Sequence, residues 1–136
     1  MVTTLLAVTA YQAMFIYSGI KKIENFEKKC ETLIKKIKER LNLDTSSVLA
    51  KNAMLAAILL EILGSVILIV YALKYSNNEK PPILTKMITR ATMLSFIGFV
   101  ILATYLYHPY HKQTIPFLSN VTTTAGFVLM YKTLLP

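Results

Sequence analysis

The chain has 136 residues, 54% of them hydrophobic and 16% charged, with 15 Lys and Arg against 7 Asp and Glu and a formal net charge of +8. That length fits one domain, and the single cysteine, Cys30, excludes an internal disulfide and any CxxC redox pair. The charges are clumped and leave four long apolar stretches, which a soluble domain of this size has too little polar sequence to cover.

The first stretch, Met1 to Ile20, carries no charged side chain. A helix crossing the hydrocarbon core of a bilayer needs about 20 mostly apolar residues, with about 17 at the lower end, so residues 2–20 are expected to span. The segment lacks a basic leading region and a small-x-small cleavage signal. Lys21 and Lys22 follow it as they do at a membrane boundary, so it is expected to stay in the protein.

The next segment, "KKIENFEKKCETLIKKIKERLNLDTSS", is the most charged part of the chain. Ile23, Phe26, Cys30, Leu33, Ile37 and Leu41 follow steps of three and four, which makes one stripe of an amphipathic helix over about 21–41. From Lys21 to Arg40 there are eight basic and four acidic side chains. Such a helix lies at the membrane surface with its stripe in the acyl boundary, or docks on a partner helix in the way calmodulin targets do. On the first of these readings Lys21, Lys22, Lys28, Lys29, Lys35 and Lys36 are expected to face anionic lipid headgroups. Nucleic acid is not an expected partner, because acids interleave the lysines and no aromatic or Gly-rich RNA motif accompanies them. Cys30 is expected to be inert filling.

The second stretch, over 53–73, has one charge, Glu61, near its middle. A charged side chain at mid-bilayer costs about 2.5–3.5 kcal/mol on insertion scales, so Glu61 is expected to be protonated or paired inside a bundle. Ala53, Ala57, Glu61 and Ser65, spaced by four with Gly64 beside them, predict a close helix contact on that face. The linker "KYSNNEKPPILTK" reads as a short loop. A third span is expected over 91–107, without charge.

"YHPYHK", residues 107–112, holds the only two histidines, His108 and His111. It reads as the turn before the fourth span, with Tyr107 and Tyr110 in the aromatic belt and Pro109 stopping the helix. Two histidines without a cysteine or nearby acid do not make a metal site, and no metal is expected. The fourth span, over 115–131, is polar in its first half through Ser119, Asn120, Thr122, Thr123 and Thr124. Glu61, Asn120, Tyr17 and Ser18 are therefore expected to form a polar centre, with His108 at its water-facing mouth. A structural hydrogen-bond network and a ligand or proton site both fit those residues.

Lys and Arg counts on the two sides are ten for loops one and three against five for loop two and the C-terminus. The positive-inside rule then puts loops one and three in the cytoplasm. The expected fold is all-α, a multi-pass membrane four-helix bundle in one domain over 1–136, with an amphipathic interfacial helix between spans one and two.

Four segments in order resemble the DoxX-like family of small membrane proteins. They are "FIYSGIKKIENF", "ILLEILGSVILIV", "YLYHP" and "FLSNVTTTAGFVLMY". The family-like positions are Ser18, Gly19, Lys22, Ile23, Glu61, Gly64, Tyr107, His108, Phe117, Asn120 and Gly126. The last stands one residue beyond the usual start of a glycine pair, where Ala125 is found. The resemblance implies a four-helix membrane bundle. Some DoxX-like proteins are described as subunits of thiosulfate:quinone oxidoreductase, others as anchors of thiol-redox assemblies, and some occur in large DNA viruses. The function expected here is a non-catalytic subunit or scaffold of a larger assembly, in a redox-related complex or a virion membrane, with the lipid bilayer and other protein subunits as partners. The alternative is a quinone-binding or thiol/sulfur-redox oxidoreductase subunit centred on Glu61 and Asn120. Quinone is the one cofactor either reading admits.

Overall fold

The computed structural model describes residues 2–108 and 113–135. Among the described residues the chain is helical with no strand, and five helices follow one another: α1 (Val2–Glu24), α2 (Phe26–Leu41), α3 (Ser47–Ser76), α4 (Ile83–Tyr107) and α5 (Thr114–Leu134). All four apolar stretches fall within long helices, and each helix extends beyond its stretch. Apolar length marks what suits a bilayer, whereas a helix runs on until a residue stops it.

Those stops are local. At Asn25 the chain bends rather than ends, since Asn25 N–H donates to Lys21 O while Lys29 N–H donates to Asn25 O. The Asn25 amide also caps Lys21 O at 3.1 Å, so α2 leaves α1 through one kinked residue. α2 ends at Asn42 in the left-handed region (φ 53°), a conformation asparagine tolerates, with its N–H on Lys38 O. Ser46 then starts α3 by accepting the Leu49 N–H. Pro82 precedes α4 and Pro116 sits in the first turn of α5, both where the missing N–H costs no helical bond.

α1, α3, α4 and α5 meet around an aromatic centre. Phe96 and Phe127 stack at 4.8 Å, and Phe15 lies 4.9 Å from Phe96 and 5.3 Å from Phe127. Leu68, Met93 and Val100 extend this core, and Val8, Tyr71 and Leu134 close its far end. A second core forms where α2 packs across the first turns of α3: Cys30 and Leu33 against Ala50, Met54 and Ile58, with Leu106 from the end of α4. The apolar stripe expected over 21–41, which runs from the end of α1 through α2, is thus only partly used. Cys30 and Leu33 are buried, whereas Ile23 and Leu41 at its ends stay exposed.

α3 and α4 are long and apolar enough to cross a membrane, with mean hydropathy 2.7 and 1.7, yet only 33% and 22% of their apolar windows are buried. Leu55, Leu59, Leu63, Val66, Val70 and Leu73 of α3 point outward, as do Leu94, Ile101, Leu102 and Tyr105 of α4. The interior meanwhile encloses Gln12, Glu61, Ser65 and Thr89. An apolar core with a few enclosed polar groups, wrapped in outward apolar side chains, leaves a surface more apolar than that of an ordinary globular domain.

Candidate functional site

Glu61 and the residues around it form the most concentrated polar chemistry of the interior. Its helix is widened there: Leu60–Gly64 forms a single π turn within α3. Such turns insert one extra residue and recur at functional positions. Opposite the turn, α1 comes close because Gly19 has no side chain. A Cβ at that position would lie 2.7 Å from Ile62 Cγ1 and 3.3 Å from Glu61 Cβ. Gly64 performs the same service on the other side, where a Cβ would meet Phe96 at 2.9 Å.

Into this contact α1 delivers Ser18 and Lys22, four residues apart and so on one helical face. Lys22 Nζ donates to Glu61 Oε1 at 2.7 Å, to Glu61 Oε2 at 2.8 Å and to Ser18 Oγ at 2.7 Å. Ser18 Oγ donates in turn to Glu61 Oε1 at 3.1 Å. An ammonium has three protons and all three are committed; both carboxylate oxygens are engaged as well. The Phe99 ring lies 5.9 Å from the ammonium on its outer side. The Lys22 side chain keeps 19% of its exposure and Glu61 only 3%.

Lys22 was expected among the headgroup lysines, and the structure corrects this: its ammonium turns inward to Glu61. Its stem is long enough to reach a full turn back along α1 to the level of Ser18. Glu61 is central in its apolar stretch, yet it lies beside Ser18 and Gly19, one turn from the charged end of α1. The reason is that the first turns of α3 serve α2 rather than the four-helix core. For the same reason Ala53 is exposed and Ala57 half-buried, and only the Glu61 and Ser65 half of the expected small-residue face is enclosed.

One turn beyond Glu61 on α3, Ser65 Oγ donates to Gln12 Oε1 at 2.9 Å. Gln12 is fully buried, and its Nε2 has no hydrogen-bond partner among the described residues. This second α1–α3 contact is open where the first is closed. Gln12 and Ser65 are both visible in the sequence as polar residues of apolar stretches. Their pairing depends on the register of α1 against α3, which no local pattern announces.

The other expected members of the centre stand apart. Tyr17 is 63% exposed, and its ring lies 5.7 Å from Lys21 Nζ on the outside of α1. Asn120 is half-buried on α5, and its side chain bonds neither Glu61 nor any other described residue; its carbonyl accepts the Thr124 hydroxyl. The threonines around it turn their hydroxyls onto their own helix, Thr122 to Leu118 O and Thr123 to Ser119 O. This satisfies the three threonine hydroxyls on their own helix. His108 Nδ1, at the end of α4, pairs with Gln113 Oε1, just before α5, at 2.5 Å and not with Glu61. Pro109, Tyr110, His111 and Lys112 lie outside the described residues.

Two further features bear on chemistry. Burial, with Glu27 adding to it, pushes the Cys30 thiol up from its ordinary range, which suits an unreactive packing residue. Among the described residues no group of three or more His, Cys, Asp or Glu side chains comes together. A groove of about 400 Å³ between α1 and α5 is walled by Thr4, Val8, Tyr11, Gly126, Met130 and Leu134. Tyr11 closes its inner end by donating to Thr123 O, and neither Glu61, Lys22 nor Gln12 lines it. No family model, no curated protein and no solved structure matches the chain.

Proposed function

We propose that the chain is a multi-pass integral membrane protein in which α1, α3, α4 and α5 cross the bilayer, and that it acts as a non-catalytic subunit or scaffold of a larger membrane-associated assembly. The bundle on this reading is DoxX-like, in a redox-related complex or a virion membrane. The observation that carries the reading is the closed Ser18–Lys22–Glu61 cluster inside an apolar exterior. A buried carboxylate held on both oxygens by an ammonium is kept ionised and committed to its partner. Its use is to hold α1 and α3 in one register. Outward leucines and valines on helices of this length match a hydrocarbon core of about 30 Å.

The Gln12 amide favours a second reading, a quinone-binding subunit, because its Nε2 is a buried donor able to meet a quinone carbonyl. Purification in mild detergent separates the two. The scaffold reading expects a complex larger than the chain itself and no bound chromophore. A quinone recovered in stoichiometric amount by lipid extraction, and lost on Gln12→Leu, would replace it. Alkaline extraction of membranes tests the membrane assignment itself: the chain is expected to stay in the pellet, and release into the supernatant would refute it.

A further inference from the structure

The basic residues around α2 fall into two classes that their spacing does not separate. Lys21 is held by Glu24 at 2.6 Å, which also keeps its ammonium above the usual range. Lys22 is held by Glu61, Lys36 by Glu39 at 3.0 Å, Lys38 by Asp44 at 2.8 Å and Lys51 by Glu27 at 3.0 Å. Among the described residues, Lys28, Lys29, Lys35 and Arg40 have no ion-pair partner. Glu31, between Lys28 and Lys35 on the same helix, is the α2 carboxylate without one. Exposed pairs are weak individually, but each cancels charge seen from a distance. What is left over is four cations and one acid.

The placement of these four is set by the packing of α2. Its apolar side is committed to the chain's own second core through Cys30 and Leu33, so it is not available to sink into acyl chains as that of a free amphipathic helix is. Lys28 and Lys35, seven residues apart, lie opposite Cys30 and Leu33 and are separated by about 10 Å along the axis. Lys29 and Arg40 lie about a third of a turn round the helix from them, on the side of Leu33, and Arg40 is half-buried there. Lys28 follows Lys21 by seven residues, just past the apolar part of α1, so on the membrane reading α2 begins at the headgroup level. Arginine adds two-pronged recognition of phosphate oxygens.

We propose that α2 is a fixed cationic helix that binds anionic phospholipid headgroups through Lys28 and Lys35 on its outer face and Lys29 and Arg40 on its flank, without inserting its apolar stripe. This rests on the membrane reading above. Binding by charge alone is selective for anionic over zwitterionic lipid and is undone by salt, whereas an inserted stripe is salt-resistant and less selective.

The test is native mass spectrometry of the full chain in an uncharged detergent, titrated separately with phosphatidylserine and phosphatidylcholine. Phosphatidylserine is expected to be retained at least about tenfold better, and that preference is expected to vanish in the K28Q/K29Q/K35Q/R40Q variant and persist in K21Q/K36Q. In the wild-type chain, raising salt from about 0.1 M to about 1 M is expected to abolish it as the Debye length falls to about 3 Å. That arm does not depend on the folding of any variant. Equal retention of the two lipids, salt-resistant preference, or equal loss in K21Q/K36Q would overturn the proposal, the last by moving the site to the paired lysines. A preference only for an acidic peptide added in competition would overturn it too. Alkaline extraction reads the membrane assignment separately, so a chain that stays in the bilayer without the lipid preference refutes this inference and leaves the first intact.

Discussion

Two polar contacts, one turn apart on α3, join the same pair of helices and differ in completeness. At Ser18–Lys22–Glu61 every ammonium proton and both carboxylate oxygens are matched. At Gln12–Ser65 one hydrogen bond is made and one buried amide donor is left over. The difference shows which contact the fold depends on. Breaking a matched buried ion pair strands a charge, while removing a half-matched amide takes away a group whose desolvation was never fully repaid.

The largest effect is expected from Lys22→Met, which leaves Glu61 buried with only the Ser18 hydroxyl as a partner. A loss of about 3–5 kcal/mol in unfolding from mild detergent is expected. Glu61→Leu should cost less, because the freed Lys22, already partly exposed, can extend its ammonium toward water. Equal losses would break this asymmetry and with it the depth assigned to the pair. Next comes Gly19→Ala, whose new methyl meets Ile62 and the Glu61 stem; a cost of about 1–3 kcal/mol is expected, partly relieved by Ile62→Ala. Ser18→Ala removes one acceptor from Lys22 and one donor from Glu61 but leaves the ion pair, so about 1 kcal/mol is expected from the same unfolding measurement. The smallest change belongs to Gln12→Leu, which should fall within about 1 kcal/mol of wild type, in the stabilising direction if Ser65 turns its hydroxyl onto its own helix. A loss as large as that of Lys22→Met would show that Gln12 is the more important contact.

Much of the helical content was legible in the residues. The apolar stretches and the three-and-four stripe through Cys30 and Leu33 predict helices where helices are found. The boundaries were less so: α4 begins at Ile83 rather than near 91, because Lys86 and Arg90 interrupt apolarity without interrupting a helix. Glu61 announced the need for a partner, but Lys22 was hidden among the headgroup lysines. The four-residue step from Ser18 to Lys22, with Gly19 beside it, was the available sign that this face of α1 meets another helix. Asn120 and Tyr17 were expected at the centre because they are polar within apolar stretches. That property does not fix which way a side chain faces, and one turns out to be half-buried on α5 and the other exposed on α1. The pairing of Gln12 with Ser65 needs the register of two helices more than fifty residues apart in sequence, which is a tertiary property.

The most direct test is a double-mutant cycle on Lys22→Met and Glu61→Leu, read as unfolding free energy of the purified chain in mild detergent. A closed ion pair predicts coupling of about 2 kcal/mol or more, with the double variant more stable than Lys22→Met alone because no charge is left stranded. Strictly additive losses, with the double variant less stable than either single one, would contradict the account.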